Sequence, residues 1–150
     1  MQRLEELSAE PLGRSSLWKS EPVDCPPGSP WFVNAAVRLT PRPDETPETL
    51  LARLQGLEKE FGRQPKRLHN EPRPLDLDLI AFGNQIRVSR DLTLPHPRAH
   101  QRRFVLEPLN EIASQFIMPG QGKAVSELLA QLPSESGPLA RRVEGSQPKT

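Results

Sequence analysis

Apolar and polar residues alternate in the 150-residue chain with two different periods, and the switches between them mark out its elements. Residues 2–7 have helical spacing, with Leu4 and Leu7 three apart, but the segment is short for an independent helix. Residues 14–19 are a candidate strand, followed by a proline-rich loop over 21–30. Residues 31–39 then alternate with period two. Val33, Ala35, Val37 and Leu39 make one apolar face, while Phe32, Asn34, Ala36 and Arg38 make the other, which predicts a half-buried strand.

The period changes after residue 46. Thr46-Pro47 supplies an N-cap and a first-turn proline, and Leu50, Leu51, Leu54 and Leu57 mark one helical face that ends near Gly62. Residues 63–74 are basic and proline-rich, as in a loop. A strand is predicted over 75–82, closed by the turn Gly83-Asn84, with 85–88 pairing back as a short hairpin arm. Residues 94–97 read as extended, and 104–113 and 125–132 as helices. From residue 133 the composition turns to Ser, Glu, Gly, Pro and Arg, the pattern of a disordered tail beyond a domain spanning 1–132. The order of elements predicts an α+β fold with helices on one face of a sheet.

Composition narrows this picture. A length of 150 residues is most simply one domain, and with 35% hydrophobic but only 5% aromatic residues its core must be aliphatic. No apolar run approaches the ~18 residues of a membrane span. The start is acidic, without the apolar stretch of a signal peptide, and the lone Cys25 has no disulfide partner in the sequence. These features predict a cytoplasmic protein. The net charge of +1 does not point to nucleic acid. Two basic groups do stand out: Arg63, Lys66, Arg67 and Arg73, and then Arg98, Arg102 and Arg103. They are either a solvated face or a phosphate-binding surface.

The candidate chemistry lies in Pro72-Arg73-Pro74-Leu75-Asp76-Leu77-Asp78-Leu79. In a strand the leucines go to the core, and Asp76 and Asp78 project together from the other face, roughly 7 Å apart at the backbone. Two parallel carboxylates repel, and strands disfavour Asp. Mg²⁺ offsets both penalties, because it commonly joins one or two carboxylates to substrate phosphates. Asp-Leu-Asp alone fits a solvated strand face better than a metal site. The arginines beside it favour a polyphosphate.

Other chemistries lack their signatures. There is no P-loop and no kinase-type glycine loop. Ser16 and Ser20 have no evident base, and although His96 and His100 are four apart, Pro95 and Pro97 argue against a zinc-binding helix there. His96 is better suited to donating a hydrogen bond to phosphate. Phe32 beside Asn34 either stacks on a flat heterocycle or covers a second small core.

These residues carry a resemblance. The blocks are Ser15-Ser16 with Glu21-Pro22, Trp31-Phe32-Val33-Asn34-Ala35-Ala36-Val37, Leu57-Glu58 with Gly62-Arg63, and the Asp76–Asp78 motif. Leu94-Pro95-His96-Pro97, Arg102-Arg103-Phe104-Val105-Leu106-Glu107-Pro108-Leu109 and Glu111-Ile112-Ala113 follow in order. From about residue 15 to residue 132 the chain resembles the 6-hydroxymethyl-7,8-dihydropterin pyrophosphokinases, the folate-pathway enzymes also called 2-amino-4-hydroxy-6-hydroxymethyldihydropteridine diphosphokinases. The resemblance implies a ferredoxin-like antiparallel sheet. It also implies Mg-dependent transfer of pyrophosphate from ATP to the pterin hydroxymethyl group, giving AMP.

By position, the resemblance makes Asp76 and Asp78 the ligands of two Mg²⁺ ions and makes Arg73, His96 and Arg102 the phosphate-contacting, catalytic residues. It puts Gln55, Glu58 and Arg63 on the nucleotide side, with Leu79 and Thr93 at the adenine. Asn34 would read the pterin edge, Phe32 and Phe104 would sandwich its ring, and Ser20 and Val23 belong to the loop beside it. The partners implied are small molecules, with neither nucleic acid nor membrane.

The sequence departs from the family pattern in two places. The usual first strand ending in Gly-Ser-Asn is not seen, so residues 1–7 read as the end of the helix after it and the first strand is expected to be missing. In the basic loop, Asn70 and Pro65 stand where tryptophan and a second arginine are usual. The competing expectations are an inactive paralogue that binds pterin or ATP, and a ferredoxin-like RNA-binding module, whose phosphate backbone Asp76 and Asp78 would repel.

Overall fold

The structure is a computed structural model that describes residues 2–20, 32–62, 76–133, 140–143, 145, 147 and 148. The proline-rich loop, the basic loop with Arg63 and Arg73, Val23 and the side chain of Phe32 lie outside the described residues.

The molecule is α+β, with short antiparallel sheets and helices. In chain order its elements are α1 (Gln2–Glu5), β1 (Gly13–Arg14), β2 (Trp18–Ser20), β3 (Phe32–Asn34), β4 (Val37–Arg38) and α2 (Pro47–Gly62). They are followed by β5 (Arg87–Val88), β6 (Thr93–Leu94), a 3₁₀ turn (Ala99–Gln101), α3 (Arg103–Ala113), α4 (Val125–Gln131) and β7 (Ala140–Arg142). Among the described residues the ladders are β1-β4, β3-β2-β7 and β5-β6. No described helix is long and apolar enough to cross a membrane.

The two strands expected over 14–19 and 31–39 are each split, and the register gives the reason. Gly13 pairs with Arg38 and Arg14 with Val37, whereas Trp18 pairs with Asn34, Lys19 with Val33 and Ser20 with Phe32. Three residues, 15–17, therefore face two, 35–36, which is a β-bulge with its extra residue on the first strand. The Ala36 N–H donates to Ser15 Oγ at 2.8 Å and the Ser15 N–H to the Ala36 carbonyl at 2.9 Å, bridging the gap. The bulge also ends the simple alternation: Val33, expected to face the core, is 62% exposed, while Val37 is half-buried.

α2 matches the pattern that predicts it. The Thr49 N–H donates to Thr46 Oγ1 at 3.1 Å, and Pro47, Leu50, Leu54 and Leu57 are buried. α3 and α4 close over Leu106, Met118, Val125 and Leu128, with Ile80 and Ala81 packed against them. Between these helices the chain doubles back through a turn in which Gly120 (φ +80°) and Gly122 (φ +66°) take a conformation other residues resist.

Two expectations about the next segment fail. Residues 76–82 run without a ladder partner among the described residues, so they are not a strand of a sheet, although the His96 N–H donates to the Ile80 carbonyl at 2.8 Å. Residues 87–88 pair forward with 93–94, not back across Gly83-Asn84. Ser89 closes that hairpin: its N–H and hydroxyl both donate to the Leu92 carbonyl, and its Oγ accepts the Leu92 N–H. Within the stretch expected to be a disordered tail, β7 pairs antiparallel with β2.

Candidate active site

Because α2 buries Leu50, Leu54 and Leu57, its adjacent stripe of Leu51, Gln55 and Glu58 turns toward residues 76–79. The hairpin turn at residues 90–93 and the segment at His96 and Pro97 complete the opposite wall. Together they enclose an open cleft of about 380 Å³. Period-two alternation persists there without a sheet: Asp76 and Asp78 are exposed, and Leu77 and Leu79 are half-buried. What fixes the intervening backbone is a side chain. A Glu58 carboxylate oxygen accepts the Leu77 N–H at 3.0 Å.

The cleft is rich in acid. Glu58, Asp76, Asp78 and Asp91 line it, against Arg90 and His96. No group of three or more His, Cys, Asp or Glu among the described residues could hold a metal unaided. Two carboxylates fit Mg²⁺, whose remaining positions go to water and phosphate oxygens. They do not fit zinc, which takes three or four protein ligands. His96 Nδ1 is buried in the cleft wall with no hydrogen-bond partner among the described residues. Leaving such an atom unpaired costs about 1–3 kcal/mol.

The described residues among those expected to act fall into three groups. Gln55, Glu58, Asp76, Asp78, Leu79, Thr93 and His96 all line this cleft. Ser20 and Asn34 meet on β2 and β3, where Asn34 Nδ2 donates to Ser20 Oγ at 3.0 Å and Ser20 is only 3% exposed. Arg102 and Phe104 form the third, at the start of α3, where the Arg102 guanidinium lies 5.5 Å from the Phe104 ring centroid. Arg102 does not line the cleft. Sequence reasoning missed Arg90 and Asp91, although Ser-Arg-Asp-Leu directly before Thr93 is a turn signal. It also missed the role of Glu111. This acid on α3 accepts the Ser16 N–H (2.9 Å), the Ser16 hydroxyl (2.8 Å) and the Trp18 indole N–H (2.7 Å), and so satisfies the bulge.

Fold and cleft thus define a small α+β protein with an acidic pocket. The family model for 7,8-dihydro-6-hydroxymethylpterin-pyrophosphokinase matches residues 1–114. A 2-amino-4-hydroxy-6-hydroxymethyldihydropteridine pyrophosphokinase of Haemophilus influenzae is 40% identical over 117 residues, covering 78% of this chain and 70% of the relative. Enzymes of the same name from Synechocystis and Pseudomonas aeruginosa are 40% and 39% identical, and the match covers 59% and 72% of their lengths and 79% and 81% of this chain. The chain belongs to the 7,8-dihydro-6-hydroxymethylpterin-pyrophosphokinase family.

Proposed function

We propose that the protein transfers pyrophosphate from ATP to the hydroxymethyl group of 6-hydroxymethyl-7,8-dihydropterin, giving AMP, in the folate pathway of the cytoplasm. The observation that carries this reading is the cleft in which Asp76 and Asp78 stand exposed on one segment beside the orphaned Nδ1 of His96. Asp76 and Asp78 would hold Mg²⁺, two ions by analogy with the family, which neutralises phosphate charge when bound. Glu58 keeps the carboxylates aligned through the Leu77 N–H. His96 Nδ1 hydrogen-bonds a phosphate oxygen and recovers the partner it lacks.

Gln55, Leu79 and Thr93 receive the nucleotide along the cleft. Asn34, steadied by Ser20, reads the pterin edge; by the family resemblance Phe32 and Phe104 would flank its ring, and Val23 would belong to the loop beside it. By the family resemblance, Arg63, Arg73 and Arg102 would supply positive charge to the phosphates. The pterin hydroxyl oxygen bonds to the β-phosphorus as the bond from that phosphorus to the α–β bridging oxygen breaks, AMP leaving with that oxygen and the hydroxyl proton passing to solvent, so catalysis consists mainly of positioning and charge neutralisation. A ferredoxin-like α+β domain accommodates these parts. The antiparallel pairing of residues 13–20 with 32–38, with α3 packed across β2, β3 and β4, supports that arrangement.

The test is product analysis with ATP, Mg²⁺ and the dihydropterin. AMP formed only when the pterin is present, one per pterin consumed, supports the reading. ADP as product, or AMP release independent of pterin, contradicts it.

A further inference from the structure

β2 is the middle strand of its sheet, with β3 on one side and β7 on the other. It is three residues long and follows a bulge, and a two-stranded pair of that length is marginal in water. β7 adds the third strand. Ala140 lies opposite Ser20, Arg141 opposite Lys19 and Arg142 opposite Trp18, and the Val143 N–H donates to the Leu17 carbonyl at 2.7 Å. A second tie runs through α3: the Glu111 carboxylate that receives Ser16 and Trp18 stands 4.0 Å from the Arg142 guanidinium. The segment thus backs, from behind, the strand that presents Ser20 to Asn34. It lies beyond residue 114, where the family-model match ends.

We propose that residues 140–143 are a positioning element for the pterin subsite, holding β2 in the register that aims the Asn34 amide. This rests on the assignment of Asn34 to the pterin edge. Ser20 Oγ accepts one N–H of that amide, which leaves its other N–H and its carbonyl oxygen for a ligand. If β2 loosens, Ser20 no longer fixes the amide plane, and the ligand must order it on binding. The carboxylate cleft is built from α2 and residues 76–97, and none of its lining belongs to β2 or β7. Nucleotide binding is therefore insulated from this change.

The test uses the full chain and two variants. Val143→Pro removes the N–H that donates to Leu17, and Val143→Ala keeps it. Affinity for 6-hydroxymethyl-7,8-dihydropterin is measured by calorimetry in the presence of a non-hydrolysable ATP analogue and Mg²⁺, and affinity for the analogue is measured separately. Val143→Pro should weaken pterin binding roughly three- to tenfold, the scale of one newly mobile polar side chain, and leave the analogue within twofold. Val143→Ala should match the intact chain for both ligands. Unchanged pterin affinity in Val143→Pro overturns the proposal, as does a parallel loss for both ligands, which would mark a general folding defect. An intact chain that binds the analogue but no pterin overturns the parent assignment of Asn34 and this proposal with it.

Discussion

The Glu58 carboxylate accepts the backbone N–H of Leu77 at 3.0 Å, and Leu77 is the residue between Asp76 and Asp78. One hydrogen bond from α2 therefore sets the backbone from which both carboxylates project. In a sheet, ladder bonds would do this. Among the described residues the segment has no ladder, and a side chain takes over part of that task. A hydrogen bond with one charged partner contributes about 1.5–3 kcal/mol, enough to hold a local backbone conformation.

Removing that bond should loosen the metal site without abolishing it. Glu58→Ala is expected to raise the Mg²⁺ concentration needed for half-maximal turnover by roughly tenfold, since 1.4 kcal/mol corresponds to that factor. Glu58→Gln, whose amide oxygen still accepts the Leu77 N–H, should recover most of the loss. Mg²⁺ titrations of initial rate at saturating ATP check this. An unchanged Mg²⁺ requirement with only a raised KM for ATP would show that Glu58 serves the nucleotide and not the backbone.

Glu111 performs a similar service for the bulge, and there the cost is one of stability. Its side chain is 14% exposed and takes three donors from Ser16 and Trp18. Alanine would strand them in a partly buried place, so Glu111→Ala should destabilise the fold by about 3–5 kcal/mol. Urea unfolding followed by tryptophan fluorescence measures this. A loss below ~1 kcal/mol would mean that water replaces the carboxylate freely.

Acid dependence has a more modest source. The hydrogen bond from Arg87, then the backbone N–H of Glu48 itself, and last the charge of the Arg87 guanidinium hold Glu48 below its ordinary value of 4.5; Arg87 Nε lies 2.7 Å from the carboxylate. A depressed folded-state value means the unfolded chain binds the proton more readily. The contribution is therefore complete above the ordinary carboxylate range and fades as pH falls through and below it. The Tm gap between the intact chain and Glu48→Gln should be present at pH 7 in low salt and should close in strong acid. A gap that widened in acid would contradict the assignment.

Much of this was legible in the sequence, for local reasons. The helix at residues 47–62 follows from its cap and its leucine spacing, and the exposed carboxylate pair follows from period-two alternation, which survives without a sheet. Legibility fails where long-range pairing decides. The extra residue between Arg14 and Trp18 is invisible until the partner strand is known, so simple alternation puts Val33 on the wrong face. Gly83-Asn84 is the stronger turn signal in the sequence, and it points the arm at 85–88 to the preceding segment. The Ser89 side chain, bonding both ways with Leu92, decides for the following one. Glu111 gave no signal, because an acid on a helix looks solvated until the bulge it completes is in view.

The most direct test of the whole account is the rate of AMP formation by Asp78→Asn at saturating Mg²⁺, ATP and pterin. The account predicts a fall of roughly 10²–10³-fold or more in turnover, the usual scale for losing one preorganised electrostatic contact to the transition state, with pterin affinity nearly unchanged. Near-normal turnover in that variant would contradict it, because the cleft between α2 and residues 90–97 would then not be where the phosphates are held.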